Sequence, residues 1–345
     1  MTKSRIKNFL FIFLVASVLG TFPLLAQTTL PTEATTVATN LGASAARALG
    51  SAFVNGAPFT AGAGNFAPLE YHFLVPLVDV YLSGPIILGA GKVDFSSIDS
   101  LGAALGTDIG KSLGPFKALG YFPIPVVAAA AKFRLTLPIP ILKDLEVTAK
   151  FGGIPTPVQD LLKAQLANIP GMKLDFDNTL IGVGARYRFV NLKVFQMSGA
   201  LGYNNINGKF NLSFTTPKQT LGTFSNVTYT QDQTISITNE YNFSVLTLDL
   251  MANLNLSIFQ LYGGLGLNLD VSKPYTSSFG IGGVVYQNGV ASTAGLSVGG
   301  IVPLDRAVLV PKFSLGFRFA IIDISAESTF DLKSLALRAG IALSI

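Results

Sequence analysis

Apolar and polar residues alternate one for one along segment after segment of this chain. Past residue 25, no apolar run reaches the length of a membrane-crossing helix. In the clearest stretch, Phe259, Leu261, Gly263, Leu265, Leu267, Leu269 and Val271 share one face. Gln260, Tyr262, Gly264, Gly266, Asn268 and Asp270 share the other. A period of two is the side-chain geometry of a β-strand. Just before it, Leu246, Leu248, Leu250, Ala252, Leu254 and Leu256 oppose Thr247, Asp249, Met251, Asn253 and Asn255, with only Ser257-Ile258 between the two runs. That reads as a hairpin. The same alternation places Ile181 to Phe189 against Arg186 and Arg188, Phe195 to Tyr203 against Gln196 and Ser198, and Val127 to Leu137 against Lys132 and Arg134. It places Leu145 to Phe151 against Glu146 and Lys150, Phe313 to Phe319 against Lys312 and Arg318, and Ile322 to Ala326 against Asp323 and Glu327. The last segment sets Leu335 to Ile345 against Ser334, Arg338 and Ser344.

Charged residues make up 12% of the chain, about half the usual share of roughly 25%, and the mean hydropathy is +0.50. A chain so poor in charge cannot cover its surface in water. A membrane helix needs about 20 consecutive apolar residues. Leu74 to Val93 is interrupted by Pro76, Asp79, Gly84, Pro85 and Lys92, and Phe122 to Ala131 stops at Lys132. Backbone groups in hydrocarbon must pair internally, so strands can cross only as a closed barrel. A soluble sandwich also alternates, but strands of about ten residues suit a tilted crossing. The expectation is an all-β fold, an antiparallel transmembrane β-barrel with an even strand number of about 10–14 and short N-terminal and loop helices. Tight turns are expected near 142, 191, 257 and 321. The polar stretches Asn204 to Gln233 and Ser272 to Ala291 read as external loops or extended hairpins, with a further hairpin possible at Asn288-Gly289.

At the start, Lys3, Arg5 and Lys7 precede the apolar run Phe9 to Leu25 and the small Ala26. These are the parts of a secretory signal peptide over 1–26. Residues 27–68 form a small-residue-rich segment with helical spacing at Val37, Leu41, Ala45, Leu49 and Phe53, readable as a plug helix or as a flexible leader. The barrel would occupy 69–345. Ser97 to Leu113 and Val158 to Ile169 are two more short amphipathic helix candidates; the second begins after Pro157 and reads as a loop helix. The expected location is the outer membrane, with outer-membrane lipid and the barrel-assembly machinery as partners. The net charge of +5 comes without a cluster of basic residues, which excludes nucleic acid.

The chain has one histidine, His72, and no cysteine. It offers no ordinary zinc site, no phosphate loop and no nucleophile elbow, so no catalytic residue, metal or cofactor is expected and the chain reads as a non-enzyme. The functional candidates are the charges on the inner face: Lys132, Arg134, Lys150, Arg186, Arg188, Lys312, Arg318 and Arg338, with Glu146, Asp249, Asp270, Asp323 and Glu327. Charges inside a membrane structure line water or pair with one another. One reading is cross-strand ion pairs near the periplasmic rim, Arg318 with Asp323 for instance. The other is a slightly anion-favouring lumen.

Gly316-Phe317-Arg318, the following Ile322-Asp323 with Ala326-Glu327, and the final alternating strand together resemble the last three strands of barrels related to the long-chain fatty-acid transporter family. The N-terminal plug candidate is similar to that family too. The resemblance covers about a tenth of the chain, which ends in Ile345 where the family has a terminal aromatic. It implies passive uptake of hydrophobic small molecules, and no ligand residue carries over. The expectation is therefore a pore or transport barrel for passive passage of small solutes, which on the resemblance would be hydrophobic. The alternative is a structural or adhesive surface protein with a closed lumen, suggested by the Thr/Asn/Ser-rich stretch Thr215 to Asn239.

Overall fold

A computed structural model describes residues 32–63, 78–104, 114–135, 144–167, 171–192, 194–215, 219–224, 227–256, 259–272, 274–287, 290–291, 297–305 and 307–344. The signal peptide over 1–26, the start of the 69–345 barrel, His72, and the turn at Leu142-Lys143 lie outside them.

Ten antiparallel strands close into a ring. They are β1 (Val78–Lys92), β2 (Tyr121–Leu135), β3 (Leu145–Gly153), β4 (Met172–Asn191), β5 (Phe195–Thr215), β7 (Val227–Leu256), β8 (Phe259–Asp270), β12 (Leu309–Phe319), β13 (Ile322–Thr329) and β14 (Ser334–Ser344). Each pairs with the next in that order, and β14 pairs back onto β1 with Gly91 opposite Ser334 and Tyr81 opposite Ser344. Closure leaves no unpaired edge around the ring, the condition for strands in lipid. The fold is an antiparallel transmembrane β-barrel. Among the described residues, no helix is long and apolar enough to cross a membrane.

Three close turns lie at one end of the ring. Phe319 pairs with Ile322, Leu256 pairs with Phe259, and Leu192 N donates to Phe195 O. The first residues of β1 and the last of β14 lie at the same end. Short turns mark the periplasmic side of such barrels. At the opposite end, β1 and β2 are joined through helices α2 (Phe95–Ala104) and α3 (Gly114–Leu119), and β3 and β4 through α4 (Thr156–Ala167). The helix expected over Val158 to Ile169 is thus present in a loop, and that over Ser97 to Leu113 is present through Ala104.

Three strands are far longer than the ten residues expected: β4 has 20, β5 has 21 and β7 has 30. The reason lies in their side-chain pattern, which inverts partway without losing phase. On β7 the outward residues are Leu246, Leu248, Leu250, Ala252, Leu254 and Leu256 near the short turns, then Ser244, Asn242, Glu240, Thr238, Ser236 and Thr234 farther out. The inward residues change the opposite way, from Thr247, Asp249 and Asn253 to Val245, Phe243, Tyr241, Ile237 and Ile235. The same swap occurs on β5 between Tyr203 and Asn205, and on β4 between Ile181 and Thr179. Those positions are neighbours, since Tyr203 pairs with Leu246, Asn205 with Ser244, and Ile181 with Asn205. The swaps draw one line across three strands. Below it the ring meets lipid and is polar inside; above it the sheet meets water and is apolar inside. Tyr203 sits on the line with its hydroxyl 3.0 Å from Ser244 Oγ, the place of an interfacial aromatic. Above it, Lys209 and Glu240 pair at 2.8 Å in the open.

The raised part of β7 pairs with β9 (Tyr275–Gln287), which pairs with β11 (Ser297–Leu304). The hairpin β6 (Gln219–Phe224) to β7 and the short β10 (Val290–Ala291) extend it farther. Asn204 to Gln233 and Ser272 to Ala291 thus contribute extended hairpins rather than loops. The wall is tall along β4, β5, β7, β9 and β11, and low along β12, β13 and β14.

Candidate functional site

The first described element, helix α1 (Thr32–Gly62), packs against β1, β2, β5, β7 and β14 of the ring and against β9 and β11 above it. It has 31 residues, so the expectation of short helices is corrected here: the helix continues through Gly56 and Pro58, where the apolar spacing had ended at Phe53. Tertiary contacts override the weak propensity of those residues. Gly42 lies against Phe279 of β9, Gly50 against Ser277, and Gly62 against Thr247 and Asn268. The helix therefore descends from the raised sheet into the ring. Its Ala and Gly content lets it fit. A Cβ on Gly56 would lie 2.7 Å from Gly91 N, and one on Gly91 would run into the Ala52 carbonyl. Backbone meets backbone here because neither glycine carries a side chain. Phe53 fills the space between, with ring centroids 4.8 Å from Phe210, 5.5 Å from Tyr241 and 5.6 Å from Phe122. The upper lumen is thus an apolar core of the kind found in water-soluble proteins, built around a helix.

Below it lies a layer of charge. All thirteen charged residues singled out from the sequence point inward and are buried, none more than 7% exposed. Their apolar neighbours in sequence, such as Phe151, Val183, Leu248 and Leu315, are among the most exposed side chains. Twelve of the thirteen fall between the helix end and the short turns; Asp270 stands apart at the far rim, where its Oδ1 accepts from Ser272 N at 2.8 Å.

Three groups organise the layer. Nearest the short turns, Asp323 receives Arg318 Nη2 at 3.1 Å and Arg338 Nη2 at 3.3 Å. The Tyr81 and Tyr262 hydroxyls also donate to it, and Arg318 Nη2 donates to the Tyr81 oxygen at 2.8 Å. The expected Arg318–Asp323 pair is present, directly across the β12–β13 hairpin. Second, Glu146 stands 3.5 Å from Lys132 and 3.8 Å from Arg186, with Arg134 opposite it in the register. Third, Lys312 bridges Asp249 at 3.1 Å and Glu327 at 3.4 Å. Arg188 faces the interior opposite Ser198. Pairing offsets the cost of taking each charge out of water.

Lys150 differs in reaching upward. Its Nζ donates to the carbonyls of Ala61 and Ala63, the latter at 3.1 Å. The last carbonyls of a helix have no partner within it and carry the negative end of its dipole. A lysine from the wall fulfils that need. Eight of the thirteen charges are cationic and five anionic, and the descending helix end accounts for part of that positive excess.

The layer is filled. Lys132, Lys312, Arg318, Asp323 and Arg338 are each at most 3% exposed. Side chains lining a water-wide channel would be wetted along it, so the described residues leave no such channel through the layer. Among the described residues no cluster of ligating side chains could hold a metal. The thirteen charges were legible in the sequence; the apolar upper lumen was not. Its signal was the inward run Met172, Leu174, Phe176 and Leu180, in phase with Arg186 and Arg188.

No family model matches the chain. No curated protein matches it either. Solved structures do share its barrel form. A major outer membrane protein from Thermus thermophilus is 12% identical, with 77% of this chain and 99% of that chain covered at a TM-score of 0.32. The outer membrane protease OmpT from Escherichia coli is 7% identical, with 80% and 99% covered at 0.30. The Pseudomonas putida toluene transporter TodX is 7% identical, with 87% and 96% covered at 0.20. The assignment as a transmembrane β-barrel rests on the closed ring and its register rather than on these distant likenesses.

Proposed function

We propose that this protein is an outer-membrane transport barrel for passive passage of small, partly apolar solutes, held shut by helix α1 and the charge layer beneath it. The carrying observation is that the upper lumen is occupied by a single helix rather than by strands of the ring. Its lower end is tied to the wall by Lys150 and its flank rests on glycines. A helix held by side chains can shift and open a path, whereas strands of the closed ring cannot. In this reading residues 1–26 direct export, the barrel-assembly machinery inserts the chain, and lipid surrounds the Leu-rich band. The C-terminal resemblance to the long-chain fatty-acid transporter family and the toluene transporter among the similar folds agree with a hydrophobic solute. The positive excess would favour anions once the layer is wetted.

Single-channel recording in planar bilayers tests this. The wild-type barrel should be mostly closed with rare openings, and a chain lacking residues 32–62, whose charge layer is then wetted from above and free to part, should conduct steadily. Arg186→Glu with Arg188→Glu should move its selectivity toward cations. A helix-deleted barrel that folds but never conducts would refute the proposal and favour a second reading. In that reading the barrel is a closed pedestal and the tall polar wall of β5, β6 and β7 is an adhesive surface. The filled charge layer favours it.

A further inference from the structure

A cavity of about 500 Å³ opens where the wall is low, between helix α1 and the outer ends of β8, β12 and β14. Its size is that of a small-molecule site, typically about 300–1,000 Å³. Val54, Pro58 and Phe59 of the helix and Val245 of β7 make one apolar side. Among the polar side chains on its wall, the Thr329 and Ser334 hydroxyls already donate to the Ser334 and Asn55 carbonyls. Asn268 is 4% exposed, and its Oδ1 has no hydrogen-bond partner among the described residues. A buried acceptor left unmet costs about 1–3 kcal/mol, so this atom calls for a donor from inside the cavity. Asp270 stands two residues along the same strand, and Asp305 is exposed at the mouth. Among the described residues lining the cavity the one cation is Lys333, already engaged with Asp331 at 3.0 Å. Phe330 lines the cavity and is also 59% exposed, beside Leu332 at 55%, at the outer edge of the lipid-facing band.

We propose that this cavity binds small molecules with an aromatic body and a protonated amine end, taken up at the outer boundary of the membrane. The amine donates to Asn268 Oδ1 and meets the Asp270 carboxylate, while the ring lies against Phe59 and Val54. The site deepens the transport reading by naming a solute class and rests on that reading only for its role in uptake.

The chain has no tryptophan, so Phe59→Trp in the full-length protein in detergent gives one reporter at the cavity wall. Titration with naphthylmethylamine should change its fluorescence saturably. Methylnaphthalene, lacking the donor, and naphthoate, carrying the opposite charge, should bind at least about tenfold more weakly. Asn268→Leu and Asp270→Asn should each weaken the amine about tenfold, in protein whose gel migration still shifts on heating. Equal binding of all three probes, or amine binding indifferent to both substitutions in folded protein, would overturn the site. Saturable, Asn268-dependent binding without amine flux into liposomes would uphold the site and refute the transport reading alone.

Discussion

Replacing Lys150 by methionine should loosen the helix that closes the lumen. Lys150 Nζ donates to the Ala61 and Ala63 carbonyls, and hydrogen bonds to charged groups contribute about 1.5–3 kcal/mol each. Burying the ammonium opposes this at several kcal/mol, partly relieved by the neighbouring carboxylates. Methionine removes that cost, yet it leaves two helix-end carbonyls without a donor in the docked state. A net loss of about 2 kcal/mol in docking follows, a shift of roughly thirtyfold toward the undocked helix. The assay is the fraction of time spent conducting in planar bilayers, with Lys150→Arg as the conservative control. Lys150→Met should raise that fraction about thirtyfold, with Lys150→Arg near wild type. An unchanged fraction, with the helix as resistant to added protease as before, would show that this contact does not hold it.

Two further outcomes follow from the geometry. Asp323→Ala leaves the Arg318 and Arg338 guanidiniums buried without their carboxylate and should cost about 3–5 kcal/mol. Asp331→Ala, which breaks an exposed pair with Lys333, should cost under about 1 kcal/mol; urea unfolding in detergent compares the two. At the outer loops, Ser96 holds the Asp94 carboxyl below its usual value through its hydroxyl at 2.6 Å and its N–H at 3.0 Å. That contribution to α2 is complete above the ordinary carboxylate range and disappears as pH falls through the lowered value. Protection against hydrogen exchange in the first turn of α2, taken relative to the intrinsic rate at each pH, should therefore fall in acid in the wild type and be low at every pH in Asp94→Ala.

How much of this was readable beforehand depended on which side of the membrane boundary a residue occupies. Within the lipid band, alternation has a single meaning, so Leu246 to Leu256 and Phe259 to Val271 give a hairpin and its inner face directly. The thirteen inward charges and the count of at least ten strands followed from the same rule. Above the boundary the rule reverses. Asn205, Asn207, Lys209 and Asn211 now face outward while Ile206, Phe210 and Leu212 face inward. A reader following apolar-outward alternation loses the strand at Tyr203 and sees a polar loop, although the phase is unbroken. The inner partner was hidden for a related reason. Phe53 packs against Phe122, Phe176, Phe210 and Tyr241, contacts between segments far apart in sequence. The helix's Ala and Gly residues are equally compatible with a flexible leader until Gly89 and Gly91 are seen opposite them.

The boundary itself can be measured directly. The chain has no cysteine, so single cysteines at the outward positions of β7, every second residue from Thr234 to Leu256, can each carry a spin label in reconstituted bilayers. Relaxation by oxygen reports lipid, and relaxation by a water-soluble nickel complex reports solvent. Oxygen should dominate from Leu246 to Leu256 and nickel from Thr234 to Ser244, changing over within a residue or two of that junction. Nickel access along the whole strand would contradict the account, because it would mean that no part of this wall faces hydrocarbon.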